Sequence, residues 1–370
     1  MNDLNYAVRW LLRSPGFAAV AILSLGLGIG ANTAMFSLVD ALLLRPIPVD
    51  DPDSLVDVFT SSSDGDEYAT TSYPDYLDIQ AQNTVFTGMT AYSMMLAPLN
   101  LGDRARLVMG HIVTSNHFNV LGIGPFLGRM LQPADDAPAA ERVVVISYRM
   151  WRADFGGDPA VVGKTLQLRG QPYTIIGVTP ASFTGVIPII VPELWLPVTY
   201  ADEVEPAGIN DNVPSPTGRT RAERRGSRWL FVKGRLRPGV TVAAAGANVQ
   251  VLASQLAAAH PETNRNRRMS AFATSDVRML VPQAGRPLSI GSAGVMALVG
   301  LVLLIACANV AGMLLARASS RQREISVRLA IGASRWHIVR QMLSEGLVLG
   351  VSGAAIAAVS PRPSCECCCR

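Results

Sequence analysis

The cysteines are the residues whose type and spacing most directly suggest chemistry. Thiolates held close together bind soft metals or take part in redox reactions. The spacing C-x-C-C-C at the end of the chain matches no standard zinc pattern, and a second group of ligands is lacking. We therefore predict no metal site in this tail, and no internal disulfide in the middle of the chain. The cysteines are Cys307, Cys365, Cys367, Cys368 and Cys369.

No other group of residues predicts catalysis. The four histidines do not form a spaced ligand set. The acidic clusters at residues 64–66 and 135–136 are typical of solvated loops rather than metal sites. The sequence contains neither the phosphate-binding pattern G-x-x-x-x-G-K-[ST] nor the nucleophile pattern G-x-S-x-G. We predict that the chain is not an enzyme and uses no cofactor.

The composition is that of a membrane protein. Hydrophobic residues make up 49% of the chain and charged residues only 16%, whereas soluble domains carry about 25% charged residues. The net charge of +4 argues against a nucleic-acid partner. The arginine-rich stretch at residues 219–228 is interpreted as a solvated loop.

Two long stretches without charge bracket a polar middle segment. They run from Gly16 to Val39 and from Pro287 to Ala316, and a helix needs about 20 apolar residues to cross a bilayer. We expect membrane helices at residues 17–39 and 290–316, with residues 45–286 forming an extracytoplasmic domain between them.

Basic residues near the helix ends indicate the orientation. Arg9 and Arg13 precede the first helix, and residues 317–345 carry six arginines against two glutamates. Because such residues mark the cytoplasmic side, residues 1–16 and 317–345 are predicted to be cytoplasmic. The alternative for the first run is a cleaved signal peptide ending near Ala31–Ala34, but the apolar stretch is long for one.

Small residues four apart could let the membrane helices approach closely. The alternative is that such spacings arise by chance in helices rich in Ala and Gly. Asn32 and Asn309 also lie within the runs and are predicted to face other helices, since unpaired amides are costly in lipid. The predicted packing residues are Gly26, Gly30, Ala34, Ala308 and Gly312.

The middle segment is predicted to be an α+β domain of two lobes. Short β-branched runs broken by Gly and Pro indicate strands, and apolar positions at helical spacing indicate helices. Predicted strands are Leu55–Thr60, Arg142–Ser147, Thr165–Leu168, Tyr173–Val178 and Trp229–Leu236. Predicted helices are Tyr73–Gln82 and Thr241–His260.

Several motifs, in order along the chain, resemble the MacB/FtsX-like ABC transporter permease family, and in particular its long duplicated acidobacterial type. The resemblance covers residues 1 to about 360. It rests on Gly28–Pro48, Ser72–Asp78, Asn116–Gly122, Val145–Trp151, Phe155–Pro159, Tyr173–Val178 and Gly300–Gly353.

The resemblance implies a function that the residues alone do not. It implies a MacB-like periplasmic core domain at residues 45–286, an FtsX-like permease domain beginning at about residue 293, and a cytoplasmic ABC ATPase as partner. It places ATPase coupling at Arg323, Glu324, Arg328 and Gly332. The alternative for this basic segment is a helix bound to lipid headgroups.

A third apolar stretch, residues 346–360, is short for a membrane helix and is followed by the cysteine-rich tail at residues 361–370. We expect a truncated or frameshifted reading frame here, with a short re-entrant helix as the alternative. A chain with so few membrane helices is expected to need a second permease half or a second copy of itself.

We expect a multi-pass protein of the inner membrane, in contact with lipid, that acts as the permease subunit of a transport or mechanotransmission system. A periplasmic partner is a further possibility. Two alternatives remain open: a membrane-anchored sensor or regulator, and a nonfunctional fragment.

Overall fold

The structure is a computed structural model. It describes residues 15–40, 47–62, 68–102, 104–137, 140–187, 190–205, 219–277, 285–320, 340, 344, 346–352 and 354–355. The chain divides into two compact units: one comprises residues 1–44 and 286–370, and the other residues 45–285.

The helices and strands are numbered in chain order. The helices are α1 Pro15–Val39, α2 Tyr73–Gln82, α3 His117–Leu121, α4 Tyr148–Asp154, α5 Ala201–Val204, α6 Val242–Ala259, α7 Pro261–Asn264 and α8 Gly285–Ser320. The strands are β1 Leu55–Ser62, β2 Phe86–Leu101, β3 Arg104–Val113, β4 Leu127–Gly128, β5 Val143–Ile146, β6 Thr165–Leu168, β7 Gln171–Val178, β8 Leu194–Pro197, β9 Phe231–Leu236 and β10 Arg267–Ala273.

Three helices of the described residues are long and apolar enough to cross a membrane, within α1, α6 and α8. The window in α8, Ile290–Met313, has a mean hydropathy of 2.5, against 1.3 for α6. One face of α6 is buried in the second unit, where the helix packs against β10. We therefore assign α6 to the domain core and treat α1 and α8 as the membrane helices.

The second unit is built on one mixed sheet that is partly closed into a ring. Its order is β10-β1-β9-β2-β3-β8-β5-β7-β4, and β6 pairs with both β7 and β2. Strands β2, β3, β8, β5, β7 and β6 therefore close on themselves, whereas β10, β1 and β9 extend the sheet beyond the ring next to β2, and β4 extends it next to β7. The predicted α+β domain is confirmed, and its two halves share strand β2.

Two apolar clusters cover the two faces of this sheet. One fills the inside of the ring and continues under α2 and α6. The other lies on the opposite face, where Phe118, Phe183 and Trp195 pack together beneath α3 and the chain near residues 183–187. Because both faces are covered, the ring strands β5 and β8 are buried along their whole length.

The predicted helices follow from their caps and faces. Ser72 accepts a hydrogen bond from the Asp75 amide at the start of α2, and Thr241 accepts one from Ala244 at the start of α6. The buried face of α6 carries apolar residues at helical spacing. That face comprises Ala245, Val249, Leu252, Ala253 and Leu256.

The predicted strands Thr165–Leu168 and Tyr173–Val178 are confirmed, and they pair as the antiparallel hairpin of β6 and β7. Its turn residues Arg169 and Gly170 have φ angles of 50° and 79°. A two-residue type I′ hairpin turn requires positive φ at both positions. Leu166 and Leu168 of β6 are buried inside the ring. The turn thus fixes the register of the strand that closes the ring.

Gly177 on β7 tests how tightly the chain that follows β4 packs against the ring. A Cβ atom built on Gly177 would overlap the carbonyl oxygen of Arg129, a backbone group that cannot rotate away. We expect Gly177→Ala to lower the free energy of unfolding by about 3 kcal/mol, or Tm by roughly 6–12 °C. The control is Gly226→Ala, because the nearest atom to a Cβ there is 3.9 Å away. Equal Tm values for the two variants would contradict this packing.

Candidate functional site

The two membrane helices form an antiparallel pair. Ala21 and Leu25 of α1 share an apolar cluster with Val310 of α8. Further along α1, a Cβ built on Gly28 would lie 3.0 Å from Leu303 Cδ1 and 3.5 Å from Ala306 Cβ. As α1 advances, its contacts therefore move backwards along α8. The end of α1 and the beginning of α8 consequently lie at the same end of the pair.

Asn32 anchors this end of the helix pair. Its Nδ2 atom donates to the carbonyl oxygen of Val299 at 3.0 Å and to that of Gly28 at 3.0 Å. Because the amide donates both of its hydrogen bonds within the helix pair, it avoids the cost of an unpaired polar group in lipid. The prediction that Asn32 faces another helix is confirmed.

The small residues predicted to pack lie mostly away from this contact. Gly26 is buried and Gly30 half-buried, but Ala34, Ala308 and Gly312 are exposed within the chain. The reason is angular: α8 meets α1 through Leu303, Ala306 and Val310, and Ala308 lies two residues, about 200°, beyond Ala306. A packing role for the exposed face stays a prediction, and it requires a helix from outside the described chain.

The four predicted coupling residues, Arg323, Glu324, Arg328 and Gly332, lie outside the described residues. Of the third apolar stretch, residues 346–352 are helical. Leu349 in this segment is fully buried against the cluster formed by α1 and α8.

The chain enters and leaves the sheet of the outer domain at the same end. Strands β1 and β10 are antiparallel neighbours, with Val56 opposite Ala273. The chain enters at the beginning of β1 and departs at the end of β10. The short 3₁₀ helices Pro52–Ser54 and Thr274–Asp276, which adjoin these strands, contact each other. The two ends of the outer domain's described chain therefore lie side by side.

A row of buried polar side chains crosses the sheet behind these connections. Lys233 on β9 donates to both carboxylate oxygens of Asp57 on β1 at 2.6 and 2.8 Å. These side chains are only 3% and 5% exposed. Thr90 on β2 lies opposite Lys233, so the row spans three neighbouring strands. The two charges in the row, Asp57 and Lys233, satisfy each other, as buried charges require.

Two histidines extend this polar row. His117 Nδ1 lies 2.9 Å from Thr90 Oγ1, and both His117 and His111 lie against the ring of Tyr92. Burial lowers the pKa of His111 to about 3. Burial, with the charges of His111 and Lys233, lowers the pKa of His117 well below its usual range. Both rings are therefore neutral at physiological pH.

The arginine-rich stretch is not the solvated loop predicted from sequence. Arg221 is fully buried and donates to Asp202 at 2.7 Å, with its guanidinium carbon 5.2 Å from the Trp229 ring centroid. Arg225 and Arg228 contact Asp75, which is 1% exposed. The prediction failed because these acidic partners lie far away in the sequence and the cluster shows no pattern of its own.

The acidic pair at residues 135–136 is also structural rather than solvated. Asp135 receives two hydrogen bonds from the Arg129 guanidinium, at 2.7 and 2.9 Å. Asp136 accepts the backbone amide of Ser115 at 2.8 Å. Among the described residues there is no group of three or more His, Cys, Asp or Glu that could hold a metal ion. The pair at residues 64–66 lies outside the described residues.

These features define an integral membrane protein in which an α+β domain is inserted between two antiparallel helices. Residues 18–252 match the MacB-like periplasmic core domain, and residues 296–360 match the FtsX-like permease C-terminal domain. The chain belongs to the MacB/FtsX-like ABC transporter permease family, as its motifs predicted.

Curated relatives include the macrolide export ATP-binding/permease protein MacB of Burkholderia thailandensis, 26% identical over 276 residues. The same protein of Burkholderia pseudomallei is 25% identical over 276 residues. Each alignment covers 74% of this chain but only 37% of the relative. The chain thus spans little more than a third of the length of these relatives.

Solved structures also match the outer domain. The periplasmic region of MacB from Actinobacillus actinomycetemcomitans superposes with a TM-score of 0.42 at 15% identity, covering 65% of this chain and 94% of that one. The extracellular domain of the noncanonical ABC-type transporter YknZ from Gram-positive bacteria gives 0.41 at 16% identity, covering 58% of this chain and 98% of that one.

The buried histidines predict a pH dependence of stability. Each folded-state pKa lies below the ordinary value of 6.5, so the unfolded chain binds more protons below that pH. Stability is therefore fully present above about pH 6.5 and falls on acidification, with a slope approaching about 1.4 kcal/mol per pH unit for each ring. Urea unfolding followed by tryptophan fluorescence between pH 7.5 and 5.0 measures this slope.

The double variant His111→Phe, His117→Gln should flatten the pH dependence in this window, because neither replacement titrates there. His260→Gln is the matched control, since His260 is partly exposed and lies outside the row. An undiminished slope in the double variant would show that other groups carry the acid sensitivity.

Proposed function

We propose that this protein is the permease subunit of an ABC-type transport or mechanotransmission system, driven by a separate cytoplasmic ATPase. The observation that carries the proposal is the antiparallel helix pair joined to the outer domain through two adjacent strands. A relative shift of α1 and α8 would act directly on β1 and β10. Family membership supports the same role.

The same proposal includes the location of each part. Basic residues on both flanks of the helix pair support an inner-membrane protein with a cytoplasmic N-terminus and its outer domain in the periplasm. The described helices α1 and α8 are each long enough to span a bilayer. Residues 317–345 would then face the cytoplasm and be available to an ATPase.

ATP hydrolysis is assigned to the partner because the sequence contains no phosphate-binding loop of the usual pattern. The curated relatives are named ATP-binding/permease proteins, and the present chain corresponds to only part of their length. We place the ATPase contact on residues 323–332, where Glu324 and Arg328 lie one helical turn apart in sequence.

Charge reversal tests this contact. We expect Glu324→Lys alone and Arg328→Glu alone to reduce co-purification with the ATPase about tenfold, since each removes an i,i+4 pair and reverses a charge at the contact. The double swap restores an opposite-charge pair within the helix but presents it with reversed polarity. Continued loss in the double swap therefore distinguishes an intermolecular contact from helix stability.

Two outcomes would contradict the coupling role. Full ATPase association in all three variants would show that Glu324 and Arg328 have no role in ATPase binding. If the double swap restored ATPase association, the pair would only stabilise its own helix and would not contact the ATPase. Binding of the variants to vesicles with and without anionic lipid, measured in parallel, separates an ATPase contact from a lipid-headgroup contact.

We also propose that the exposed face of α8 meets a second permease half or a second copy of the chain. Ala308, Asn309 and Gly312 are all exposed within the chain. Helix–helix contacts in membranes are enriched in small residues spaced by four and in polar amides, and this region of α8 offers both. Gly26, Gly30 and Ala34 offer a comparable spacing on α1.

Gly312→Leu tests this contact without disturbing the chain itself, because nothing lies within 4 Å of a Cβ built there. We expect association in liposomes, measured by energy transfer between labelled chains, to weaken about five- to thirtyfold, which corresponds to 1–2 kcal/mol. The control is Gly300→Leu, which is equally unobstructed but lies about 120° around the helix. Equal effects of the two variants would argue against a specific face.

A further inference from the structure

One side chain binds the segment that leads from α1 into β1. Arg235 on β9 donates through Nε to the carbonyl oxygen of Val120 at 2.7 Å. Its two terminal nitrogens donate to the carbonyl oxygens of Asp50 at 2.6 Å and Asp51 at 3.1 Å, and to Ser54 Oγ at 2.7 Å. All four acceptors are uncharged groups. The guanidinium therefore does not form an ion pair. It holds the four acceptors together through hydrogen bonds in one plane, an arrangement called the bracket below.

The leading segment, residues 47–54, is fixed to α3 by further contacts. The Asp50 amide donates to the carbonyl oxygen of Leu121 at 3.1 Å. Gly122, which ends α3 with φ of 72°, leaves room for Asp50, because a Cβ there would overlap the Asp50 side chain. Ile47 and Val49 pack against the apolar cluster that contains Phe118. Arg235 thus joins the leading segment, α3 and β9 into one unit.

The trailing segment, residues 274–277, has no comparable bracket in the part of the chain that the structure describes. Its backbone bond from Val277 to Thr274, at 3.3 Å, is local. Thr274 Oγ1 is buried without a hydrogen-bond partner. The leading segment is therefore attached by side-chain bonds from a neighbouring strand, whereas the trailing segment relies on its contacts with Pro52–Ser54 and with β1.

This asymmetry matters for a pulling force. The leading and trailing segments adjoin the same end of the antiparallel β1–β10 ladder. A load that separates them would open the ladder one hydrogen bond at a time, the weakest way to load such a pair. Bonds that tie the leading segment to β9 and α3 carry its load around β1 into the middle of the sheet, so that β1 is not peeled away from β9 on its own.

We propose that Arg235 is the positioning residue that transmits movement of the first membrane helix to the outer domain. It makes the leading segment a rigid lever and leaves the trailing segment as the hinge. This inference rests on the proposed function for the origin of the movement. The bracket itself, however, can be measured without any ATPase.

Hydrogen–deuterium exchange of the full chain in lipid nanodiscs tests the bracket. Arg235→Met keeps the aliphatic stem but removes all four bonds, and Arg235→Lys keeps the charge without the planar fork. In Arg235→Met we expect exchange across residues 47–54 and 117–122 to accelerate about tenfold or more, with strands β2 and β3 unchanged. Arg235→Lys should fall between Arg235→Met and the unmodified protein.

The matched control is Arg237→Met, which removes an exposed arginine two residues further along the chain. Unchanged exchange at residues 47–54 in Arg235→Met would overturn the proposal. So would a uniform acceleration throughout the domain, which would mean that Arg235 only contributes to overall stability.

A pulling measurement tests the mechanical part. Bioorthogonal handles at residues 48 and 276 of the full chain load the leading and trailing segments directly, and the force that separates β1 from β9 should fall at least about twofold in Arg235→Met. An equal opening force in Arg235→Met and Arg237→Met would refute load transfer through Arg235. If Glu324 and Arg328 prove irrelevant to ATPase binding, only the proposed drive fails, because neither measurement includes an ATPase.

Discussion

The outer domain depends on the pairing of one strand with two different sets of neighbours. Strand β2 is sixteen residues long, well above the usual five or six. Its first half pairs with β9, its second half reaches β6 at Leu99 and Asn100, and β3 accompanies it from Tyr92 onward. Because the same backbone belongs to the open sheet and to the closed ring, neither half can shift without displacing the other.

The buried Asp57–Lys233 pair adds a second constraint, on register. Removing one partner of such a pair typically costs about 3–5 kcal/mol, because it leaves the other charge buried and alone. A slip of β1 by one residue against β9 would also turn Asp57 to the opposite, apolar face and leave Lys233 without its partner. The polar row therefore specifies which residues face each other in the strand that follows the first membrane helix.

Local signals were sufficient to predict those elements that carry their own capping or turn residues. Tyr73–Gln82 carries its cap and an early proline, and the β6–β7 hairpin carries a glycine in its turn. Strands β2 and β3 were not predicted, because β2 is rich in Met, Leu and Ala rather than in β-branched residues. Its extended conformation depends on partners far along the chain, and such tertiary pairing overrides propensity.

The same distinction explains the candidate site. The two membrane helices and their family motifs could be predicted, since apolar runs and ordered motifs are local in sequence. The partners of the buried arginines and of Arg235 could not: Arg225 meets Asp75 across 150 positions and Arg235 meets Asp50 across 185. An Asp and a Lys in the middle of apolar strands were the one available sign of the polar row.

Because β1 and β10 are neighbours that start and finish side by side, the outer domain behaves as a cassette. A domain whose ends lie close together can be inserted into a host, enlarged or exchanged with little disturbance to what surrounds it. The helix hairpin formed by α1 and α8 needs only two adjacent attachment points. Evolution can therefore vary the domain while leaving the two membrane helices unaltered.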